Sequence, residues 1–164
     1  MTGGPDRHAE LPFDPDTPAE PPPPGPLHLR IDAVLLVAAG GLVGTLARYG
    51  LADIDPVRAG RWPWATFVAN LGGAFVLGLL LELLARRGPD QGGRQRIRLL
   101  LGTGFCGALT TFSTLAVESD LLVHDHHLGL AGGYLAATAF GGLVATVAGI
   151  ALGAAPGATR GGGR

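Results

Sequence analysis

The chain has 164 residues and a formal net charge of −1, and 47% of its residues are hydrophobic whereas only 15% are charged. A soluble domain of this size usually carries about a quarter charged residues, so the composition argues against a soluble enzyme. All twelve Lys and Arg positions hold Arg and form no long basic run, so we expect no nucleic-acid partner. The single cysteine excludes a disulfide framework within the chain and a zinc site built from cysteines.

The two ends of the chain differ in composition from its middle. Residues 1–26 hold nine of the thirteen prolines and cannot bury enough apolar surface to offset the entropy of ordering. We therefore predict a disordered, proline-rich cytoplasmic tail over residues 1–26 and a flexible C-terminal tail over residues 156–164. Residues 27–155 between them are predicted to form one membrane domain.

Four long apolar stretches follow the proline-rich tail. They are Ile31–Leu51, Trp64–Leu84, Ile97–Val123 and Leu128–Ala155. Each exceeds the roughly 20 residues that a helix needs to cross the hydrocarbon core of a bilayer. The chain also contains 28 glycines, which favour close packing between helices in lipid. The sequence therefore predicts an all-α membrane protein with four transmembrane helices.

The arginines predict how these helices are oriented. If all four cross the membrane, both termini and the 85–96 connection lie on one side, which carries eight arginines against two on the other. The eight are Arg30, Arg86, Arg87, Arg94, Arg96, Arg98, Arg160 and Arg164, and the two are Arg58 and Arg61. The positive-inside rule then predicts a multi-pass protein of the cell membrane with both termini in the cytoplasm.

The third stretch differs from a helix that only crosses lipid. Residues 102–114 read GTGFCGALTTFST, with three glycines, four threonines and one serine. Irregular backbone at membrane depth persists only where protein or water satisfies the freed polar groups. Gly107 and the Thr110–Thr111 pair are therefore the candidates for a break in the third helix, where freed carbonyls would suit a cation such as sodium. The alternative is that the hydroxyl groups bond back to their own helix.

Several other polar residues lie within the apolar stretches. Asn70 is in the second stretch, Arg48 ends the first, and Glu82 and Glu118 lie near helix ends. Ionisable residues at such depth usually mark a permeation path or a buried pair. Arg48 and Glu82 could instead extend to the lipid headgroups.

Three segments carry a specific resemblance to a known family. They are GGLVGTLARYG (residues 40–50), WPWATFVANLGGAFVLG (residues 62–78) and GFCGALTTFST (residues 104–114). In this order they resemble the signatures of the Fluc/CrcB fluoride-channel family, and the resemblance covers about residues 31–155. It implies a four-helix subunit that pairs antiparallel with a second subunit, forming two narrow fluoride pores around a central structural sodium ion.

The resemblance also implies roles for individual residues. The backbone carbonyls of Gly107 and Thr110 would hold the sodium ion, Arg48 would lie in a vestibule that attracts the anion, and Glu118 would lie close to the permeation path. The residues implied to line the pore are Asn70, Phe112, Ser113, Thr114, Tyr134 and Thr138, with Thr146 as a further candidate. Amide and hydroxyl groups can replace the water that fluoride loses, and a phenyl edge carries positive charge density.

Two features depart from the family pattern. The family motif usually has a second Phe three positions after the first, whereas this chain has Leu115 there. A protein that inserts in both orientations should also have balanced arginine counts, which this chain lacks. We therefore expect that it inserts one way and pairs with a paralogue of opposite orientation.

The resemblance implies a passive fluoride channel that lowers cytoplasmic fluoride and its toxicity, and therefore no enzyme. The runner-up is a proton-coupled exporter of the small multidrug kind, which needs a membrane-embedded carboxylate, usually in its first helix. Here the first stretch offers only Asp32 at its edge, and Glu118 lies in the third. A non-conducting partner subunit of a heterodimeric channel, with Leu115 as the mark of a degenerate pore, is a further alternative. A hydrolase using Ser113 would need a converging histidine, and no nucleophile motif surrounds that serine.

Overall fold

The computed structural model describes residues 30–155, which are helical apart from short connections and contain no strand. The elements are α1 (Ile31–Ile54), α2 (Trp64–Ala85), α3 (Gly93–Ile97), a π-helical segment (Arg98–Cys106), α4 (Gly107–Leu109), α5 (Phe112–His124) and α6 (Leu128–Ala154). The elements from α3 to α5 form one span, Gly93–His124, so the described residues contain four spans long and apolar enough to cross a membrane. The predicted fold class is therefore confirmed. The tails predicted over residues 1–26 and 156–164 lie outside the described residues.

The third span starts at Gly93, earlier than the predicted start at Ile97. Polar contacts with the preceding connection hold its first turns. Arg94 Nε donates a hydrogen bond to the carbonyl of Pro89, and Arg98 forms an ion pair of 2.7 Å with Asp90. The apolar pattern missed these turns because hydrogen bonds and charge, rather than burial, stabilise them.

The third helix is broken at Thr110 and Thr111, as predicted for that pair. Both residues are extended, with φ/ψ of −76°/148° and −149°/123°. The other candidate, Gly107, was wrong as a break because it continues the helix with φ −63° and ψ −32°. Glycine permits a break but does not require one, and the next turn still forms a helical bond from the N–H of Thr110 to the carbonyl of Cys106.

Helix α1 packs against the first half of the third span through glycines. A Cβ on Gly40 would collide with the carbonyl of Leu100, and one on Gly44 with the carbonyl of Phe105. From the opposite side, a Cβ on Gly104 would lie 2.6 Å from the carbonyl oxygen of Val37. Such backbone-to-backbone packing is how helices associate in lipid. The π-helical segment, which the sequence did not predict, lies along this contact.

Helices α2 and α6 pair in the same manner. A Cβ on Gly78 would lie 2.5 Å from the carbonyl oxygen of Thr146, and one on Gly149 would collide with the carbonyl of Phe75. The packing role predicted for the glycines therefore holds for Gly149 of the fourth helix. It does not extend to Gly132 and Gly142, where an added Cβ would meet no atom within 4 Å in this subunit.

A small buried cluster fills the space between α5 and α6. It contains Leu115, Leu122, Ala131 and Tyr134, with Trp62 and Phe67 packed against it. The Trp62 ring stands edge-on to both Tyr134 and Phe67, with centroids 5.5 Å apart in each pair. Trp62 therefore anchors the subunit interior as well as marking the end of the second span.

Replacing Gly44 by Ala should destabilise the fold, because the new methyl group meets the backbone carbonyl of Phe105. Overpacking of this kind costs about 1–3 kcal/mol. Gly50→Ala on the same helix is the matched control, since a Cβ there has no atom within 4 Å. Thermal unfolding in detergent should show a lower midpoint for Gly44→Ala only. Equal midpoints in the two variants would contradict the backbone contact.

Candidate functional site

The side chain of Asn70, on α2, holds the backbone of Thr111 at the helix break. The N–H of Thr111 donates to Asn70 Oδ1 at 2.7 Å, and Asn70 Nδ2 donates to the carbonyl of Thr111 at 3.1 Å. The carboxamide thus replaces the helical partners that the extended backbone has lost. One N–H of the amide remains without a partner among residues 30–155. Asn70 therefore lies at the break, where its side-chain oxygen and one of its two amide N–H groups bind the backbone of Thr111.

Hydroxyl groups surround the same break. Thr111 Oγ1 accepts a hydrogen bond from the N–H of Thr114 and so caps α5, and it also lies 3.2 Å from Ser113 Oγ. Thr110 Oγ1 donates to the carbonyl of Cys106 in its own helix, at 2.9 Å. The broken helix and the back-bonded hydroxyl, which the sequence posed as alternatives, therefore occur together.

The break leaves backbone groups of both signs without partners. Within residues 30–155, the carbonyls of Gly107 and Thr110 accept no hydrogen bond, and the N–H groups of Phe112 and Ser113 donate none. Carbonyl oxygens suit a hard cation, whereas N–H groups at the start of a helix suit an anion. The residues at the break thus offer both kinds of ligand at membrane depth.

Arg48 contacts the end of the first half-helix. Its Nε donates to the carbonyl of Ala108 at 3.1 Å, which places a cation at the carbonyl end of α4. Arg48 also lines a cavity of about 330 Å³ with Thr114, Thr66 and Glu118. The side chain therefore turns toward the interior of the subunit, and the alternative that it extends to lipid headgroups is not needed.

Glu118 is buried, with 4% of its surface exposed, and both of its carboxylate oxygens accept hydrogen bonds. Oε1 accepts from Thr66 Oγ1 at 2.7 Å, and Oε2 accepts from the hydroxyl of Tyr134 at 2.6 Å. No Arg or His among the described residues pairs with this carboxylate. The donors come from α2 and α6, so Glu118 joins three helices.

Thr66 is the functional candidate that the sequence analysis missed. It lies four residues before Asn70, and helical residues four apart share one face. The same spacing recurs in the other two helices of the site. The three polar pairs, hereafter the polar stripe, are Thr66 with Asn70, Thr114 with Glu118, and Tyr134 with Thr138. A search for polar residues at this spacing would have found Thr66.

The remaining candidates divide between the stripe and the outside of the subunit. Thr138 is buried and donates to the carbonyl of Tyr134 in its own helix at 2.8 Å. Phe112 is 80% exposed and points away from the subunit. Thr146 lies two turns beyond Thr138, where its backbone packs on Gly78, so the structure does not bring it to the stripe.

Removing the Asn70 side chain should loosen the break locally. A buried group that loses its hydrogen-bond partner costs about 1–3 kcal/mol, so Asn70→Ala should speed amide exchange at Thr111 by about tenfold or more. Asn70→Asp keeps an acceptor for the Thr111 N–H and should exchange much more slowly than Asn70→Ala. Ser113→Ala serves as the control, because it leaves the backbone pairing intact. Hydrogen exchange in nanodiscs measures all three, and unchanged exchange in Asn70→Ala would contradict the pairing.

A family model and several curated proteins match this chain over most of its length. Residues 35–150, from α1 to α6, match a family model described as "CrcB-like protein, Camphor Resistance (CrcB)". The chain is 49% identical over 136 residues to "Fluoride-specific ion channel FluC 2" of Leifsonia xyli subsp. xyli, covering 83% of this chain and 93% of the relative.

Two further relatives carry the same kind of name. "Fluoride-specific ion channel FluC 1" of Mycolicibacterium paratuberculosis is 46% identical over 109 residues, covering 66% of this chain and 80% of the relative. "Fluoride-specific ion channel FluC" of Prosthecochloris aestuarii is 41% identical over 125 residues, covering 75% of this chain and 94% of the relative. All three are named as ion channels, and none is named as an enzyme.

Proposed function

Because this chain belongs to the CrcB family, we propose that it is a fluoride channel subunit, through which fluoride leaves the cell passively. The observation that carries this proposal is the polar stripe beside a helix start that presents unpartnered N–H groups at membrane depth. The gradient and the membrane potential supply the driving force, about 2.3 kcal/mol per 100 mV for one anion. The result is a lower concentration of toxic fluoride in the cytoplasm.

Fluoride holds its water tightly, so a narrow pore must replace that water with hydrogen-bond donors. The free N–H of Asn70, the backbone N–H groups of Phe112 and Ser113, and the hydroxyls of Ser113 and Thr114 are the donors at the break. Asn70 and Thr111 hold each other through two hydrogen bonds, so these donors are fixed before the ion arrives. A pore of fixed width and donor spacing supports selection of fluoride over chloride.

We propose that two subunits pair antiparallel around a structural sodium ion. The unpartnered carbonyls of Gly107 and Thr110 fit this role, because sodium prefers oxygen ligands. When bound, the ion supplies a fixed positive charge between the subunits. The 80% exposure of Phe112 in one subunit supports a partner that covers this ring, whose positive edge can face the anion.

The arginine distribution supports the orientation with both termini in the cytoplasm and a partner of opposite orientation. Eight arginines on one side against two on the other favour insertion in one direction only. An antiparallel pair then requires a paralogue with the reverse bias. This part of the proposal fails if the purified chain alone reconstitutes full fluoride flux with both orientations present.

The departure at Leu115 does not remove an exposed ring from the subunit surface. Leu115 is 8% exposed and packs in the cluster with Leu122, Ala131 and Tyr134. The residue therefore fills the interior of its own subunit, whereas Phe112 is the exposed ring beside the break. This arrangement supports a conducting subunit over a degenerate partner.

Fluoride efflux from proteoliposomes, followed with a fluoride electrode and run on this chain alone and together with a paralogue, tests the channel. We expect fluoride flux without chloride flux and without a pH gradient. Asn70→Asp should lower the initial rate by about tenfold or more, because a negative charge in a low-dielectric path repels the anion. Gln91→Glu makes the same chemical change in the exposed 86–92 connection and should leave the rate unchanged.

The same assay separates the competing functions. Flux that requires a proton gradient would identify an exporter and refute the passive channel. Flux that begins only when a paralogue is added would identify an obligate heteromer. Unchanged fluoride conduction by Asn70→Asp would remove Asn70 from the pore.

A further inference from the structure

The connection between α1 and α2 contains a tight turn that carries two arginines. The N–H of Arg61 donates to the carbonyl of Arg58 at 3.2 Å, and Gly60 within the turn has φ +68°. A Cβ on Gly60 would lie 2.6 Å from Nε2 of His127, so the turn packs directly on the residue before α6. This contact and the left-handed glycine fix Arg58 and Arg61 at the two ends of one turn.

Both arginines of the turn lack a counter-ion. Among the described residues neither guanidinium forms an ion pair or a side-chain hydrogen bond, whereas Arg30, Arg86 and Arg98 each pair with a carboxylate. Unpaired arginines held in a fixed turn are ready to bind an anion without first breaking a protein contact.

Arg58 and Arg61 line one groove of about 360 Å³, hereafter the loop groove, together with Asp55 and Trp62. The indole N–H of Trp62 is buried and has no acceptor among the described residues. The loop groove therefore holds two guanidinium groups and one carboxylate, with the buried indole of Trp62 in its wall.

A second cavity is lined both by these arginines and by Glu118 of the polar stripe. Its volume is about 220 Å³, and its lining includes Arg58, Arg61, Asp125 and Glu118. Glu118 also lines the cavity that contains Arg48. Glu118 thus lines both the interior cavity near the break and the second cavity, which shares Arg58 and Arg61 with the loop groove.

We propose that the loop groove is a binding site for a small hydrated anion, where fluoride is held at the mouth of the permeation path. The inference rests on the proposed channel function and adds Arg58 and Arg61 to it. At about 30 Å³ per water molecule, the groove has room for an ion with several waters, so the site does not require dehydration. Its two arginines raise the local anion concentration, while Asp55 in the groove and Asp125 in the second cavity keep binding weak enough for release. Because the ion keeps its water, the site accepts chloride as well as fluoride, and selection occurs further inside.

Arginine modification tests the binding site without relying on conduction. The full chain in phosphatidylcholine vesicles is treated with phenylglyoxal, and the modified residues are mapped by mass spectrometry. Sodium fluoride or sodium chloride should slow modification of Arg58 and Arg61 by about threefold or more relative to sodium gluconate at equal ionic strength. Arg96, an exposed arginine of α3 that forms no ion pair within residues 30–155, is the internal control and should react equally in all three salts.

Equal halide protection of Arg58, Arg61 and Arg96, or no protection of any of them, would overturn the proposal. So would protection that appears only when phosphatidylglycerol is added, since that outcome would assign the two arginines to lipid headgroups. If the wild-type chain carries no fluoride, either alone or together with a paralogue, the channel proposal fails while the protection result still decides the loop groove.

Flux measurements test the consequence for conduction. Arg58→Gln/Arg61→Gln should lower fluoride flux by about threefold or more at fluoride concentrations well below saturation and have little effect at saturation. This pattern raises the apparent KM and spares the maximal rate. Arg96→Gln is the matched control and should change neither quantity. A double variant with wild-type flux at low fluoride would overturn the role of the groove in permeation.

Discussion

The architecture of this subunit depends on a pairing between one side-chain amide and one peptide group inside the membrane. In hydrocarbon, no water is available to satisfy backbone that leaves a helix. The Asn70 side chain replaces that water by forming hydrogen bonds with both the N–H and the carbonyl of Thr111. Arg48 donates a hydrogen bond to the carbonyl of Ala108. With those groups satisfied, a helix can start at Phe112 at membrane depth. Its free N–H groups and the free carbonyls before it then supply the chemistry of the site.

Helix α2 positions both the helix break and the buried carboxylate of Glu118. Its Asn70 fixes the break, and its Thr66, one turn earlier, donates to Glu118. Helix α6, which packs along α2, supplies the Tyr134 hydroxyl to the other carboxylate oxygen. A single helical face therefore sets the relative positions of the break, the buried carboxylate and the cavity between them. Side chains held by such mutual contacts need little rearrangement when an ion passes.

The sequence predicted those features that depend on local composition. Hydropathy identified the four spans because each helix must be apolar along its own length, and the threonine pair located the break to the residue. The prediction of a break at Gly107 was wrong because glycine lowers the cost of irregular backbone without requiring it. The pairing of Asn70 with Thr111 depends on how α2 meets the third span, which no local pattern encodes. Thr66 was within reach, since it repeats the polar spacing of Asn70. The roles of Phe112 and of sodium depend on a second subunit, so they stay predictions.

The arrangement around Glu118 constrains how the protein is made. Synthesis proceeds from the N-terminus, so Thr66 is already in the membrane when the third span emerges, but Tyr134 is not. A carboxylate within a lone inserting helix is costly in hydrocarbon, and only one of the two donors to Glu118 is then present. Just three residues, 125–127, separate α5 from α6. The last two helices are therefore suited to enter the bilayer together as a hairpin, with the phenol of Tyr134 already bonded to the acid, so membrane insertion depends on a contact that also shapes the buried site.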